Sequence, residues 1–276
     1  MFTLNCKGRL LAIERPLVMG IINLTPDSFW EGSRFQGVEM ILRQAEKMLT
    51  EGATFLDLGA QSTRPGSPRI EPDEELKRLM EPLKAIRERF PEAFLSVDTY
   101  HASVARSAVE AGASLVNDIS GGSFDQQMIS TVATLGVPFI CMHVKGKPDN
   151  MHHNPQYDDV TREVLDYFII KTAECKLAGI HDVIIDPGFG FSKTAAHNFE
   201  LMRNLGAFKM LEKPVLAGIS RKSTIYKTLS VTAAEALNGT TVLNTICLLN
   251  GANILRVHDV KEAVEAVKLV AAYQPA

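Results

Sequence analysis

Ten polar residues recur at one kind of position: Asn23, Asp57, Asp98, Asn117, Asp118, His143, Asp186, Ser220, Arg256 and His258 each stand in, or just beyond, a short apolar run. Runs of a few apolar residues without alternation fit strands buried on both faces, as in a parallel sheet. Polar groups at the carboxyl ends of such strands are where α/β folds bind ligands. Asp98, Asn117 and Asp186 together offer several acceptors and a few donors. That set suits a heterocycle with amino, ring N–H and carbonyl groups better than a metal, and a sugar or a purine satisfies the same count. Asp118 and Asp259 read as helix caps or turn formers.

A second set is basic. Ser220-Arg221-Lys222-Ser223 and Arg256-Val257-His258 follow the last two apolar runs. If the fold is a barrel, these are the loops that often bind phosphate. Ser223 and Thr224 can also begin a helix, whose free N–H groups attract anions. A third set lies in two long stretches rich in Gly, Ser and Pro, from Asn23 to Gly37 and from Gly59 to Pro72. Connections longer than about 12 residues in a compact domain are usually lids or binding loops. Within the second, Ser62-Thr63-Arg64-Pro65-Gly66 offers hydroxyls and a guanidinium to an anion. His143, His152 and His153 lack a second clustered acid or histidine at ligand spacing, which argues against a metal cage built by the protein.

These residues need a frame, and the periodicity supplies one. Thr3 to Ile13 reads as a hairpin around Lys7-Gly8-Arg9. After it, strands at 18–22, 55–58, 94–97, 115–116, 137–142, 183–185, 214–219 and 254–255 alternate with helices. The helices are expected over 37–50, 73–90, 101–111, 124–135, 157–178, 196–208, 232–249 and 260–272. Pro26 stops the first strand just past Asn23. Gly52, Gly112 and Gly251 each close a helix and are followed by Ala, a buried strand and a polar end, a weak internal repeat. Eight strands alternating with eight helices predict a single (β/α)8 barrel over 16–273, preceded by a short N-terminal hairpin over 1–15. A doubly wound open sheet is the runner-up, but edge strands with alternating polar faces are missing.

Composition agrees with one soluble domain over 1–276. The chain has 276 residues, 46% hydrophobic and 22% charged, with a net charge of -3. That charge gives no electrostatic case for nucleic acid or an anionic membrane. No apolar run approaches a membrane span, and the N-terminus does not read as a secretory leader. Cys6, Cys141, Cys175 and Cys247 match no zinc or redox spacing, and Cys141 and Cys247 read as small core residues, so a reducing, cytoplasmic setting is expected.

The same segments closely resemble the dihydropteroate synthases, pterin-binding enzymes of folate biosynthesis. The matching stretches are Met19 to Phe29, Gln61 to Gly66, Ser96 to Asp98, Val116 to Gly122, Met142-His143, Asp186 to Phe191 with Lys193-Thr194, Ser220 to Ser223 and Arg256 to Asp259. The resemblance implies a transferase that joins para-aminobenzoate to 6-hydroxymethyl-7,8-dihydropterin diphosphate, giving 7,8-dihydropteroate and pyrophosphate. It implies that Asp98, Asn117 and Asp186 bond the pterin, with Lys222 closing over it. Asn23, Thr63, Arg64, Arg256 and His258 would hold the diphosphate, and Asn23 would also touch Mg2+. Pro65, Phe191, Lys222 and Ser223 would receive para-aminobenzoate. Lys222, Asp98, Asp186 and Arg256 are the residues the resemblance ties to catalysis, and a homodimer is implied. The chain departs from the family at Gln61, where Glu is usual, at Trp30-Glu31, and at the basic stretch Lys145 to Lys147.

Overall fold

The computed structural model describes residues 1–24, 34–61, 69–146 and 155–274, with 34–36 given by their backbone alone. The first two strands, β1 (Phe2–Cys6) and β2 (Arg9–Ile13), form the expected antiparallel hairpin. Lys7 and Gly8 both take positive φ, the two-residue turn whose twist suits a hairpin, and Asn5 Oδ1 accepts from the Gly8 N–H at 2.7 Å.

The eight strands that follow are all parallel and pair in the order β8-β7-β6-β5-β4-β3-β10-β9. They are β3 (Leu17–Asn23), β4 (Phe55–Gly59), β5 (Phe94–Asp98), β6 (Leu115–Asp118), β7 (Phe139–Met142), β8 (Val183–Asp186), β9 (Leu216–Ala217) and β10 (Ile254–Val257). A parallel bridge between Ile185 and Val215, with the Ile185 N–H on the Pro214 carbonyl at 3.0 Å, joins β8 to β9. The sheet is therefore a barrel, and the open doubly wound alternative falls.

Outside it lie α1 (Arg34–Thr50), α2 (Pro72–Arg89), α3 (Ala102–Glu110), α4 (Met128–Leu135), α5 (Val160–Ala178), α6 (Ala195–Arg203), α7 (Ser223–Leu229), α8 (Leu237–Leu249) and α9 (Val260–Tyr273). Gly52, Gly112 and Gly251 take the positive φ their place after a helix predicts. Where bounds differ from expectation, side chains have claimed the backbone first. α4 starts at Met128 rather than 124 because Ser120 Oγ accepts from the Ser123 and Phe124 N–H groups and Asp125 Oδ1 from Gln127. α8 starts at Leu237 rather than 232 because Arg221 takes the Ala233 and Ala234 carbonyls. The helix expected over 196–208 divides at Asn204 into α6 and a 3-10 turn (Leu205–Leu211).

Inside the barrel, Met19, Phe55, Leu115, Ile140, Ile184, Leu216 and Ile254 form one apolar cluster, and Leu4, Cys6 and Ile13 of the hairpin pack into it. The hairpin thus plugs the floor of the barrel. A larger cluster joins the outward faces of the strands to the helices. All four cysteines are free and buried.

Candidate active site

Side chains alternate along a strand, so a residue two positions beyond a floor residue stands above it inside the barrel. Phe55 is followed in this way by Asp57, Leu115 by Asn117, Ile184 by Asp186 and Ile254 by Arg256. Asn23, Gly59, Asp98 and Asn117 are successive register partners across β3, β4, β5 and β6, so the first, third and fourth polar strand ends share one rung. At Gly59 an added Cβ would lie 3.4 Å from the Asp98 Cβ, an ordinary van der Waals contact that marks the two positions as neighbours on this rung.

Arg256 ties this rim together. Its Nε donates to Asp57 Oδ2 and its Nη2 to Asp98 Oδ2, both at 2.6 Å. Asn117 Nδ2 donates to the same Asp57 oxygen at 2.9 Å. Asp57 is wholly buried, and the rigid guanidinium fork, with donors on different edges, suits service to two carboxylates on different strands at once. Burial pushes the Asp98 carboxyl up; Arg256 pulls it down, and Asp57 adds to the push. Burial likewise raises Asp186, opposed by Lys222. Lys222 is pushed down to about 8 by burial, with Asp186 resisting. The rim thus holds Asp57, Asp98 and Asp186 against Arg256 and Lys222, an acceptor-rich surface beside two cations.

Opposite Arg256, the β8 end is built by its own turn. Asp186 Oδ1 accepts from the Gly188 N–H at 2.8 Å. Gly188 has φ +72, and an added Cβ would lie 2.1 Å from the His143 carbonyl oxygen, so no other residue fits. Lys222 donates to the Phe189 carbonyl, and its Nζ sits 4.4 Å from the centre of the Phe191 ring. Lys193, which sequence reasoning quoted without a role, is buried. Its Nζ reaches His143 Nδ1 at 3.0 Å and the Gly188 and Phe191 carbonyls at 3.1 Å each. Burial lowers it to about 7. It pins the loop that carries Gly188 and Phe191 to the end of β7.

Not every basic residue faces the rim. Arg221 was expected among the anion binders, but its Nε and Nη2 each meet Asp259 at 2.8 Å, and Nη1 takes two carbonyls. It is a strut between the loops after β9 and β10, and it leaves Lys222 and Ser223, the start of α7, as the outward part of that segment. Asp118, expected as a turn former, accepts from the Ser120 N–H and hydroxyl and the Gly122 N–H. His258 stands at the exposed edge with Nδ1 3.0 Å from the Ser220 hydroxyl. Lys145 is spent on Glu163 and the Gln156 carbonyl, 2.8 Å each. Gln61 Oε1 accepts from the Ile70 N–H at 2.8 Å. Thr63, Arg64 and Pro65, together with Trp30, Glu31, Lys147, His152 and His153, lie outside the described residues. Asp57, read only as one of ten polar strand-end residues, is the missed residue of the rim. Its signal was its place two residues beyond Phe55.

Among the described residues no group of three or more His, Cys, Asp or Glu could hold a metal. Residues 19–258 match the family model of pterin-binding enzymes. The dihydropteroate synthase of Escherichia coli K12 is 41% identical, over 98% of this chain and 95% of that one. The chain belongs to the dihydropteroate synthase family of pterin-binding enzymes. The solved Yersinia pestis dihydropteroate synthase in complex with a sulfonamide drug superposes with a TM-score of 0.93, at 40% identity and over the whole of both chains. The Xanthomonas albilineans dihydropteroate synthase with 4-aminobenzoic acid gives 0.92 at 37% identity, covering 99% of this chain and 98% of that one. The matched region includes all eight barrel strands except the first two residues of β3, so the family likeness spans the rim as a whole. No helix among the described residues is long and apolar enough to cross a membrane.

Proposed function

We propose that the chain condenses para-aminobenzoate with 6-hydroxymethyl-7,8-dihydropterin diphosphate, giving 7,8-dihydropteroate and pyrophosphate. The observation that carries this reading is Arg256 clasped between Asp57 and Asp98 beside Asp186 and Lys222, inside a barrel of this family. The Asp98, Asn117 and Asp186 side chains accept from the amino and ring N–H groups of the pterin. Lys222 closes over the pterin, and Arg256, Asn23, His258, Thr63 and Arg64 hold its diphosphate. Phe191, Pro65, Lys222 and Ser223 receive para-aminobenzoate.

In the reaction the arylamine nitrogen attacks the pterin methylene carbon. The carbon–oxygen bond to the diphosphate breaks, pyrophosphate leaves with the electron pair, and the amine gives up one proton. A weakly basic arylamine needs little help from a general base when the leaving group is stabilised. Positive charge developing at the methylene is shared by the electron-rich ring and offset by the Asp98 and Asp186 carboxylates. Arg256, with the other diphosphate contacts, offsets the negative charge that grows on the departing oxygen.

Mg2+ fits this donor set only as an ion carried with the diphosphate. A hard cation commonly keeps substrate phosphates and waters as most of its ligands, and the one ligand named from this chain is the Asn23 side chain at the rim. When bound it neutralises leaving-group charge. A homodimer is part of the proposal. Val242, Ile246 and Leu249 recur along α8 and remain exposed, and Leu229 of α7 is exposed as well. Four reduced, buried cysteines support a cytoplasmic location. The test mixes the protein with the pterin diphosphate, para-aminobenzoate and Mg2+. Pyrophosphate release that depends on para-aminobenzoate is expected, and a folded protein that releases none refutes the reading.

A further inference from the structure

Glu75 lies in the first turn of α2 and is buried to 1% exposure. Among the described residues no hydrogen bond of ordinary geometry reaches either carboxyl oxygen, although the Thr99 hydroxyl lies beside it. A buried carboxylate left in that state is strongly disfavoured. Facing it at 3.9 Å is Nε2 of His101, the residue before α3, and this nitrogen too is buried without a partner. The Ile70 backbone lies beside the ring and favours a proton on the nitrogen turned toward it, the tautomer that leaves Nε2 as a lone pair toward Glu75. A proton on the carboxyl can satisfy both atoms once they close from 3.9 Å to hydrogen-bond distance.

The pair sits where two parts of the rim meet. The His101 N–H donates to Thr99 Oγ1 at 3.1 Å, Thr99 directly follows Asp98, and the Thr99 N–H bonds the Asn117 carbonyl at 2.9 Å. On the other side, the Ile70 N–H bonds Gln61, and Arg69 Nε donates at 3.3 Å to the hydroxyl of Tyr100, whose ring lies 4.5 Å from that of His101.

We propose that Glu75 is a positioning residue that works as the neutral acid: a side-chain shift of about 1 Å from the 3.9 Å separation brings its O–H onto His101 Nε2, and the proton so shared locks the Asp98 strand end to Gln61 and Arg69-Ile70. The inference rests on the reading of Asp98 as a pterin contact. Burial pushes the Glu75 carboxyl up to about 7; Asp98 and Asp118 add to the push, and Thr99 and Arg78 oppose it. Burial also holds His101 below its ordinary value, Arg69 adding to this while Ile70, Asp125 and Glu71 oppose it. The folded-state value lies above the ordinary 4.5, so the contribution of this proton is whole at low pH and is lost as pH rises through about 7. Above that, two lone pairs face each other and the lock loosens.

Three measurements test this. In wild-type protein without substrate, the 15N spectrum of the His101 ring should show a neutral imidazole with a hydrogen-bonded Nε2 at about pH 6, changing by about pH 8.5. The Glu75→Gln variant, whose amide donates at every pH, should show no such change. Its melting temperature should match the wild type in acid and exceed it by about 3 °C or more at about pH 8.5. The KM for the pterin diphosphate should rise about fivefold with pH in the wild type relative to Glu75→Gln, with the two kcat profiles parallel. An imidazolium at His101 at about pH 6, or melting curves that stay parallel with pH, overturns the shared proton. A constant KM ratio overturns the positioning role. Absence of turnover in the wild type, with the spectral and melting signatures present, instead refutes the reaction proposed above.

Discussion

Asp57→Asn isolates what the buried clasp contributes. The substitution keeps shape and one acceptor oxygen but removes the charge that Arg256 Nε meets at 2.6 Å. A hydrogen bond to a charged group contributes about 1.5–3 kcal/mol, so the lost charge should lower kcat/KM by roughly 10-fold to 150-fold. The fold should tolerate it. Asp57 Oδ1 has no partner, so the new amide NH2 takes a place where nothing is broken, next to Ser96, its register partner, whose hydroxyl is also unpaired. A second effect has a definite sign. Asp57 is one of the charges that raise the Asp98 carboxyl. Asp98 accepts from the pterin as the carboxylate, so activity falls as pH drops through its folded-state value. Removing the Asp57 charge lowers that value and moves the acid limb of kcat/KM to lower pH. Pyrophosphate release followed across pH, with folding checked by urea unfolding, reads both. An acid limb that stays in place together with kcat/KM within about twofold of the wild type would refute the reasoning.

Three further outcomes follow from the geometry. Arg221→Lys loses the two-pronged contact with Asp259 and the Ala233 and Ala234 carbonyls, and urea unfolding should show a loss of about 1–3 kcal/mol together with a raised KM, because Lys222 and Ser223 follow directly. Gly188→Ala sets a Cβ against the His143 carbonyl at positive φ, and should cost at least about 2 kcal/mol in the same assay while displacing Asp186. Lys222 sits at about 8, so kcat/KM should fall as pH rises through that value, and titration of the rate against pH checks it.

The barrel was legible in the sequence because each strand is a short unalternating apolar run with a polar end, and that pattern survives tertiary packing. The shortest strand was the least legible. The apolar run 214–219 narrows to Leu216–Ala217 in the sheet, with Val215 holding the closing bridge, because Pro214 has no N–H to give and Gly218 no side chain to pack. Helix starts were missed where Ser120, Asp125 and Arg221 compete for backbone groups, since a periodicity count does not see side-chain capture. The strand-end residues Asp98, Asn117, Asp186 and Arg256 were legible by position. Their pairing was not. Arg256 and Asp57 are 199 positions apart, and nothing local says that one arginine serves two carboxylates. Arg221 shows the converse: a basic residue in a motif can be consumed by its own scaffold. Glu75 was invisible for a third reason, because in sequence it looks like any acid in the first turn of a charged helix, and only burial separates it from Asp73 and Glu74.

The most direct test of the account compares product formation by the wild type, Asp186→Asn and Lys222→Ala. Each is supplied with the pterin diphosphate, para-aminobenzoate and Mg2+, 7,8-dihydropteroate is quantified by mass, and circular dichroism confirms the fold. The account predicts product from the wild type and none above background from either variant. Turnover retained in both variants, or a folded wild type that makes no product, would contradict it.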